Sequence, residues 1–184
     1  FNFRLKKNII KYLMPSRNVV KRSGHLQEIR YDKITDRLIN LCKNIEPQLT
    51  YIDPSEITQT VSQSVHDGIT TQELDELTAE ICASRIPQHS EFGELASRII
   101  ISNHQKVTKD NFTEVMEELY NHKDLNGNHV PLIAEDRIEV IRKYKTQIES
   151  EIDNTRDFKL DYFAFKTLER AYLLKIRGKV VERI

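Results

Sequence analysis

Three cations that could bind a phosphate lie within one short stretch, Val19–Thr35, which reads VVKRSGHLQEIRYDKIT: Lys21, Arg22 and Lys33. Lys21 and Arg22 close a β-prone run, VVKR. A turn at Ser23-Gly24 follows, then a second run, EIRYD, and a helix expected to begin at Asp32-Lys33. A hairpin feeding a helix this directly gathers the cations beside the helix's first backbone amides. Phosphate oxygens suit such a place, because cationic donors make charge-assisted hydrogen bonds and uncapped helix amides favour anions. On spacing alone the same residues also fit a solvated hairpin with ordinary surface charges.

Other chemistries find no pattern here. The five glycines are scattered, so neither a P-loop nor a GxGxxG fingerprint can be assembled. The six histidines form no HExxH pair, and Cys42 and Cys82 lie too far apart for CxxC ligation of zinc. Carboxylates are numerous but interspersed with Lys and Arg on helical stretches, which marks solvated faces rather than an acid–base pair. The residue types argue for binding and against catalysis within this chain.

The elements that must position these groups are mostly helical. Ile34, Leu38, Leu41, Cys42 and Ile45 recur at helical spacing and predict an amphipathic helix over 32–45, ending at Glu46-Pro47. Cys42 falls on its apolar face and reads as core. Asp53-Pro54 opens a second helix as N-cap and first helical residue; Ile57, Val61 and Val65 form its stripe, and Gly68 is expected to close it. Thr70 and Glu73 form a capping-box pattern ahead of a third helix to about Ser84, with Leu74, Leu77, Ile81 and Cys82 inward. The fourth, about Glu91 to Lys106, has a wide apolar arc including Leu95, Ala96, Ile99, Ile100 and Ile101, so it belongs at the centre of a bundle. Thereafter helices are predicted over Phe112–Tyr120 and Ala134 to about Ile148, joined by the turn-rich HKDLNGNHVP. Tyr162, Phe165, Leu168 and Tyr172 lie roughly at helical spacing, and IRGKVVE reads as a hairpin around Arg177-Gly178.

Length and charge bound the partners. The 184 residues fit one domain, or one small domain and part of another. A formal net charge of +0 argues against a nucleic-acid or anionic-membrane binder, and no apolar run reaches the ~20 residues that cross a bilayer. Two cysteines are too few for a disulfide framework and suit a reducing cytoplasm. The first 13 residues are lysine-broken and unlike a secretory signal. Met14 is the expected natural start, with residues 1–17 as leader or flexible arm. The β-prone KVVERI at the end suggests a piece of a longer protein.

VVKRSGHLQEIRYDKIT, then GITTQELDELTAE and ELASRIIISNHQK, resembles the ATP-cone of class I ribonucleotide reductase large subunits. The later TRDFKLDYFAFKTLERAYLLKIRGKVVER is similar to the segment leading into that enzyme's catalytic barrel, so the resemblance covers residues 18–183. It implies a mainly α fold: an ATP-cone (a β-hairpin lid on a four-helix bundle) over 18–107. Over 108–184 it implies the start of a helical domain leading toward an α/β barrel absent from this chain. It implies an allosteric site for ATP or dATP with Mg²⁺, where ATP permits ribonucleotide reduction and dATP stops it. Implied partners are other large subunits and the small radical-generating subunit. By matched position, Lys21 and Arg22 are the first-strand basic pair. Gln27, Glu28, Ile29, Arg30, Tyr31, Asp32 and Lys33 form the second strand and helix start over the adenine. Thr71 lies near ribose and phosphate, Asp75 beside the sugar, and Lys106 on the phosphates at the end of the fourth helix. Thr71 and Asp75, four apart, share a helix face; a plain N-cap is the bland alternative for Thr71. Ser23 and Gln27 depart from the family's Asp and Glu, and an amide brings no charge to Mg²⁺. The family's radical and redox cysteines match neither Cys42 nor Cys82. A non-enzymatic ATP-cone sensor or assembly module is the alternative from another class.

Overall fold

The computed structural model describes residues 17–184; the Met14 start and all of the expected leader except Arg17 lie outside them. The chain divides into two compact units, one ending at Asn103 and the other beginning at His104.

In the first unit a three-stranded sheet caps helices. Strand β1 (Asn18–Val20) pairs antiparallel with β2 (Leu26–Glu28), and parallel with β3 (Ile69–Thr70) on its other side. Of the expected run EIRYD only Glu28 is strand. Ile29 is buried, its N–H donating to the Arg17 carbonyl, and helix α1 (Tyr31–Lys43) has already begun at Tyr31. Helix α1 buries Tyr31, Thr35, Leu38, Leu41 and Cys42, close to the predicted stripe.

Helix α2 (Pro54–Ser64) starts as its sequence dictates, with the Asp53 carboxylate accepting from the Ser55 N–H at 2.9 Å and Pro54 needing no donor partner. Ile57, Val61 and Val65 are all fully buried. Gly68, however, is not its cap. The helix stops at Ser64 and Val65 takes an extended conformation. Gly68, at φ +78°, instead forms the turn into β3, its N–H donating to the Asn18 carbonyl at 2.9 Å. Asp67 stitches the same turn, its Oδ1 accepting from the Asn18 N–H at 2.6 Å. The left-handed glycine serves a strand pairing rather than a helix end.

Helix α3 (Thr71–Ser84) begins with the complete capping box: the Glu73 N–H donates to Thr70 Oγ1 at 3.1 Å, and the Thr70 N–H to Glu73 Oε2 at 2.8 Å. Leu74 and Cys82 are buried as expected. Thr78 and Ala79 complete the inner face, while Leu77 and Ile81 are only half-buried. Helix α4 (Glu91–Val107) is the most buried helix of the unit, with Leu95, Ala96, Ile99, Ile100 and Ile101 at most 1% exposed. From it the buried Arg98 reaches three carbonyls at the end of α1 and beyond: Leu41 (2.8 Å), Ile45 (3.1 Å) and Pro47 (2.6 Å). The Leu41 carbonyl is one that the end of α1 would otherwise leave unpaired.

The second unit packs α5 (Phe112–Tyr120) on α6 (Glu135–Lys143) through Val115, Met116, Leu119 and Ile138. The single helix expected over 134–148 is two. Tyr144 (φ −108°, ψ 16°) breaks the run, and α7 (Lys145–Glu151) continues from it. Glu149 thereby reaches the start of α5, accepting from the Thr113 N–H and hydroxyl, both at 2.7 Å. After a 3₁₀ turn (Asn154–Lys159), α8 (Tyr162–Ala171) buries Phe165 completely and leaves Tyr172 exposed. Strands β4 (Lys175–Ile176) and β5 (Lys179–Val180) form the predicted hairpin, with φ 50° and 77° at Arg177 and Gly178.

Candidate functional site

The sheet decides what meets what. Because β1 lies parallel to β3 with Val19 opposite Ile69 and Val20 opposite Thr70, the two strands run out side by side. The residues that follow, Lys21 and Thr71, therefore leave the sheet at the same end. Thr71 is the first residue of α3, so the N-terminus of that helix opens beside the basic hairpin. This juxtaposition spans some 50 residues of chain, and only β3, which the sequence reading lacked, produces it.

The hairpin turn is tight: the Lys21 N–H donates to the His25 carbonyl at 2.9 Å, and the Gly24 N–H to the Lys21 carbonyl at 2.8 Å. Lys21 is half-buried and Lys33 exposed, and neither side chain has a partner among the described residues. The Thr71 hydroxyl likewise has none. The capping role that competed for it belongs to Thr70, one residue earlier. Arg22 is fixed, its Nη2 donating at 2.9 Å to Oδ1 of the buried Asn103 on α4.

Arg37 was not foreseen. It stands one turn beyond Lys33 on α1 and makes an ion pair through Nη1 with Oδ1 of Asp75 on α3. Burial, and the neighbouring Arg22 guanidinium, push the Arg37 pKa down to about 10, so it remains charged at neutral pH. The i, i+4 spacing of Lys33 and Arg37 was the available signal, by the same arithmetic that pairs Thr71 with Asp75. What it could not show was which helix that face would meet.

The remaining expected residues take varied positions. Gln27 and Glu28 lie on edge strand β2, both exposed. Ile29 and Tyr31 are 5% and 8% exposed and belong to the core, where burial raises the Tyr31 pKa. Arg30 and Asp32 pair with each other at 2.6 Å, and the hydrogen bond from Arg30 holds the Asp32 carboxyl below its ordinary range. Lys106 stands on the last turn of α4, in the second unit.

The β1–β3 register thus places Lys21 and the start of α3 at the same end of the sheet, and the Arg37–Asp75 pair joins α1 to α3. That combination suits a phosphorylated ligand carrying a hydroxylated sugar. Residues 17–107 match the ATP cone domain family. Beyond the cone, the chain is related to the N-terminal region of ribonucleoside-diphosphate reductase large subunits. It is 46% identical over 166 residues to that of Variola virus, 44% over 167 residues to that of Danio rerio, and 44% over 166 residues to that of Arabidopsis thaliana. Each match takes in 90% of this chain and 20–21% of the relative. The chain therefore spans about a fifth of the length of the curated relatives it matches.

Proposed function

We propose that this chain is the allosteric, activity-regulating N-terminal portion of a ribonucleoside-diphosphate reductase large subunit. On this reading it binds ATP or dATP and so controls the cytoplasmic supply of deoxyribonucleotides for DNA replication. The observation that supports it best is the β1–β3 register, which sets Lys21 and the N-terminus of α3 side by side. Lys21 and Lys33 oppose the triphosphate, with Lys106 assigned to the same role by the family resemblance. The β2–α1 junction, Gln27 to Tyr31, flanks the base. Thr71 serves ribose and phosphate, and Asp75 accepts from a sugar hydroxyl.

Mg²⁺ fits this site as a passenger on the phosphates, which with water supply most of its ligands. Among the described residues no group of three His, Cys, Asp or Glu could hold a metal by itself. Among them, too, no helix is long and apolar enough to cross a membrane. Other large subunits and the small radical-generating subunit are the partners this reading supplies.

Calorimetric titration of the chain with ATP and dATP tests the proposal. Both should bind, and Lys21→Ala should weaken both about tenfold, the worth of one charge-assisted hydrogen bond at ~1.5 kcal/mol. A wild-type chain that binds neither nucleotide defeats it.

A further inference from the structure

We propose that Asn126 is a site of spontaneous covalent modification: its side-chain amide closes onto the backbone nitrogen of Gly127, ammonia leaves, and water opens the ring to aspartate or isoaspartate. The loop that carries it, between α5 and α6, has no part in the nucleotide-binding reading above. Asn126 is the only asparagine of the chain that is followed by glycine. It is exposed, and its side chain has no hydrogen-bond partner among the described residues. Gly127, exposed too, brings no side chain to hinder the approach of its nitrogen. It sits at φ +85°, with no atom within 4 Å of the place a Cβ would take.

Neighbouring and related positions lack this freedom. The amide of Asn128 donates to Asp124 Oδ2 at 3.0 Å, and His129 follows it. That of Asn121 donates to the Glu117 carbonyl at 2.8 Å, and His122 follows. Asp67-Gly68 has the glycine, but the Asp67 carboxylate accepts from the Asn18 N–H at 2.6 Å and from Asn18 Nδ2 at 3.2 Å. The Gly68 N–H is itself tied to the Asn18 carbonyl at 2.9 Å, inside a strand pairing. At Gly127 a single hydrogen bond holds the attacking nitrogen, to the Asp124 carbonyl at 3.1 Å. A lone bond at an exposed loop tip opens locally without unfolding what surrounds it.

In the first step the Gly127 nitrogen bonds to Cγ of Asn126. The Cγ–Nδ2 bond breaks, and ammonia leaves with the proton given up by the Gly127 N–H. Water then adds to one carbonyl of the five-membered imide, its hydroxyl going to carbon and its proton to nitrogen. Opening at Cγ gives aspartate; opening at the main-chain carbonyl gives isoaspartate, with the chain rerouted through the side-chain carbon.

Either product works against Asp124, whose carboxylate organises this loop. Its Oδ1 accepts from the Asn126 and Asn128 N–H groups at 2.8 and 2.9 Å. A second carboxylate at position 126 repels it, and the extra main-chain carbon of isoaspartate moves both donors. The bridge between Lys123 and His129 then loosens, and with it the bonds from the Val130 N–H to the His122 carbonyl and from the Leu132 N–H to the Leu119 carbonyl on α5.

The experiment ages the intact chain at mildly alkaline pH and follows every asparagine by peptide mass spectrometry, with isoaspartate told from aspartate by enzymatic methylation. Asn126 should be the first to show the mass shift of NH exchanged for O, with isoaspartate in excess. Asn126→Gln should lose this early signal, because glutamine would have to close a larger ring. The aged fraction carries one more negative charge and separates by anion exchange; amide hydrogen exchange at Val130 and Leu132 should be faster in it than in fresh protein. Earlier modification of another asparagine overturns the proposal, and so does a product that is aspartate alone, since that bypasses the imide. Unchanged exchange at Val130 and Leu132 overturns the loosening of the loop.

Discussion

Gln27 sits directly opposite Val19 in the β1–β2 pair, as Ile69 does across β1–β3. Directly opposed residues share a face, so Gln27, exposed at the sheet edge, shares its face with two residues that are each 3% exposed. Glu28, opposite Asn18, is on the other side, and it could replace Gln27 only by a one-residue slip that would turn every side chain of β2 over. Gln27→Glu should therefore restore a charge to the face shared with Val19, making ATP binding several-fold more dependent on Mg²⁺. Titration with and without the metal checks this, and identical curves for both proteins would put the side chain away from the nucleotide. The cysteines make a second prediction at this scale. Burial pushes the thiols of Cys42 and Cys82 up to about 11 and 12. A neutral-pH alkylating reagent should label neither until the first unit unfolds, because the thiolate is the reactive species. Rapid labelling of the native chain would contradict their placement in the core.

Arg98 is the residue on which the packing of elements turns, since it joins the middle of α4 to the end of α1 and the segment after it. Arg98→Met keeps much of the buried volume but strands three carbonyls. The cost should be roughly 2–4 kcal/mol, or a melting-temperature drop of about 5–15 °C, seen by calorimetry or circular dichroism. Thr70→Ala acts on a smaller element, removing the hydroxyl that accepts from the Glu73 N–H while the residue-70 N–H keeps its bond to Glu73. A loss of roughly 1 kcal/mol is expected, together with weaker nucleotide binding, because the start of α3 carries Thr71. A variant destabilised by this amount that still binds nucleotide normally would separate the helix start from the site.

For the molecule as a whole, the cations of the site are a local feature of a chain with 28 basic and 28 acidic residues. Such a balance favours a small anionic ligand at one built site over an extended polyanion. Ligand binding should then be felt locally. Hydrogen exchange in the presence of ATP should slow at β1, β2 and the first turns of α1 and α3, with α6 and α7 of the second unit unchanged. At ligand a hundredfold above its dissociation constant the first unit should gain about 2.7 kcal/mol. Uniform protection across both units, or none, would argue against a site built from these elements.

The sequence by itself determined what short-range forces settle. The stripe of α1 and α2, the Asp53 cap, the Thr70–Glu73 box, the Arg177-Gly178 turn and the placement of both cysteines in the core all depend on residues within a turn or two of each other. The break at Tyr144 was not legible, because the apolar spacing of 134–148 continues through it and only Glu149 meeting Thr113 shows the change of direction. Gly68 was legible as a left-handed position but not as the turn into a strand. Only the tertiary structure decided the site. β3 is two residues long, too short to announce itself, and exists because β1 pairs with it and Asn18 holds the Asp67-Gly68 turn just before it from 49 residues away. That pairing brings the helix start to the hairpin, and the meeting of α1 with α3 turns Arg37 from a surface cation into the partner of Asp75.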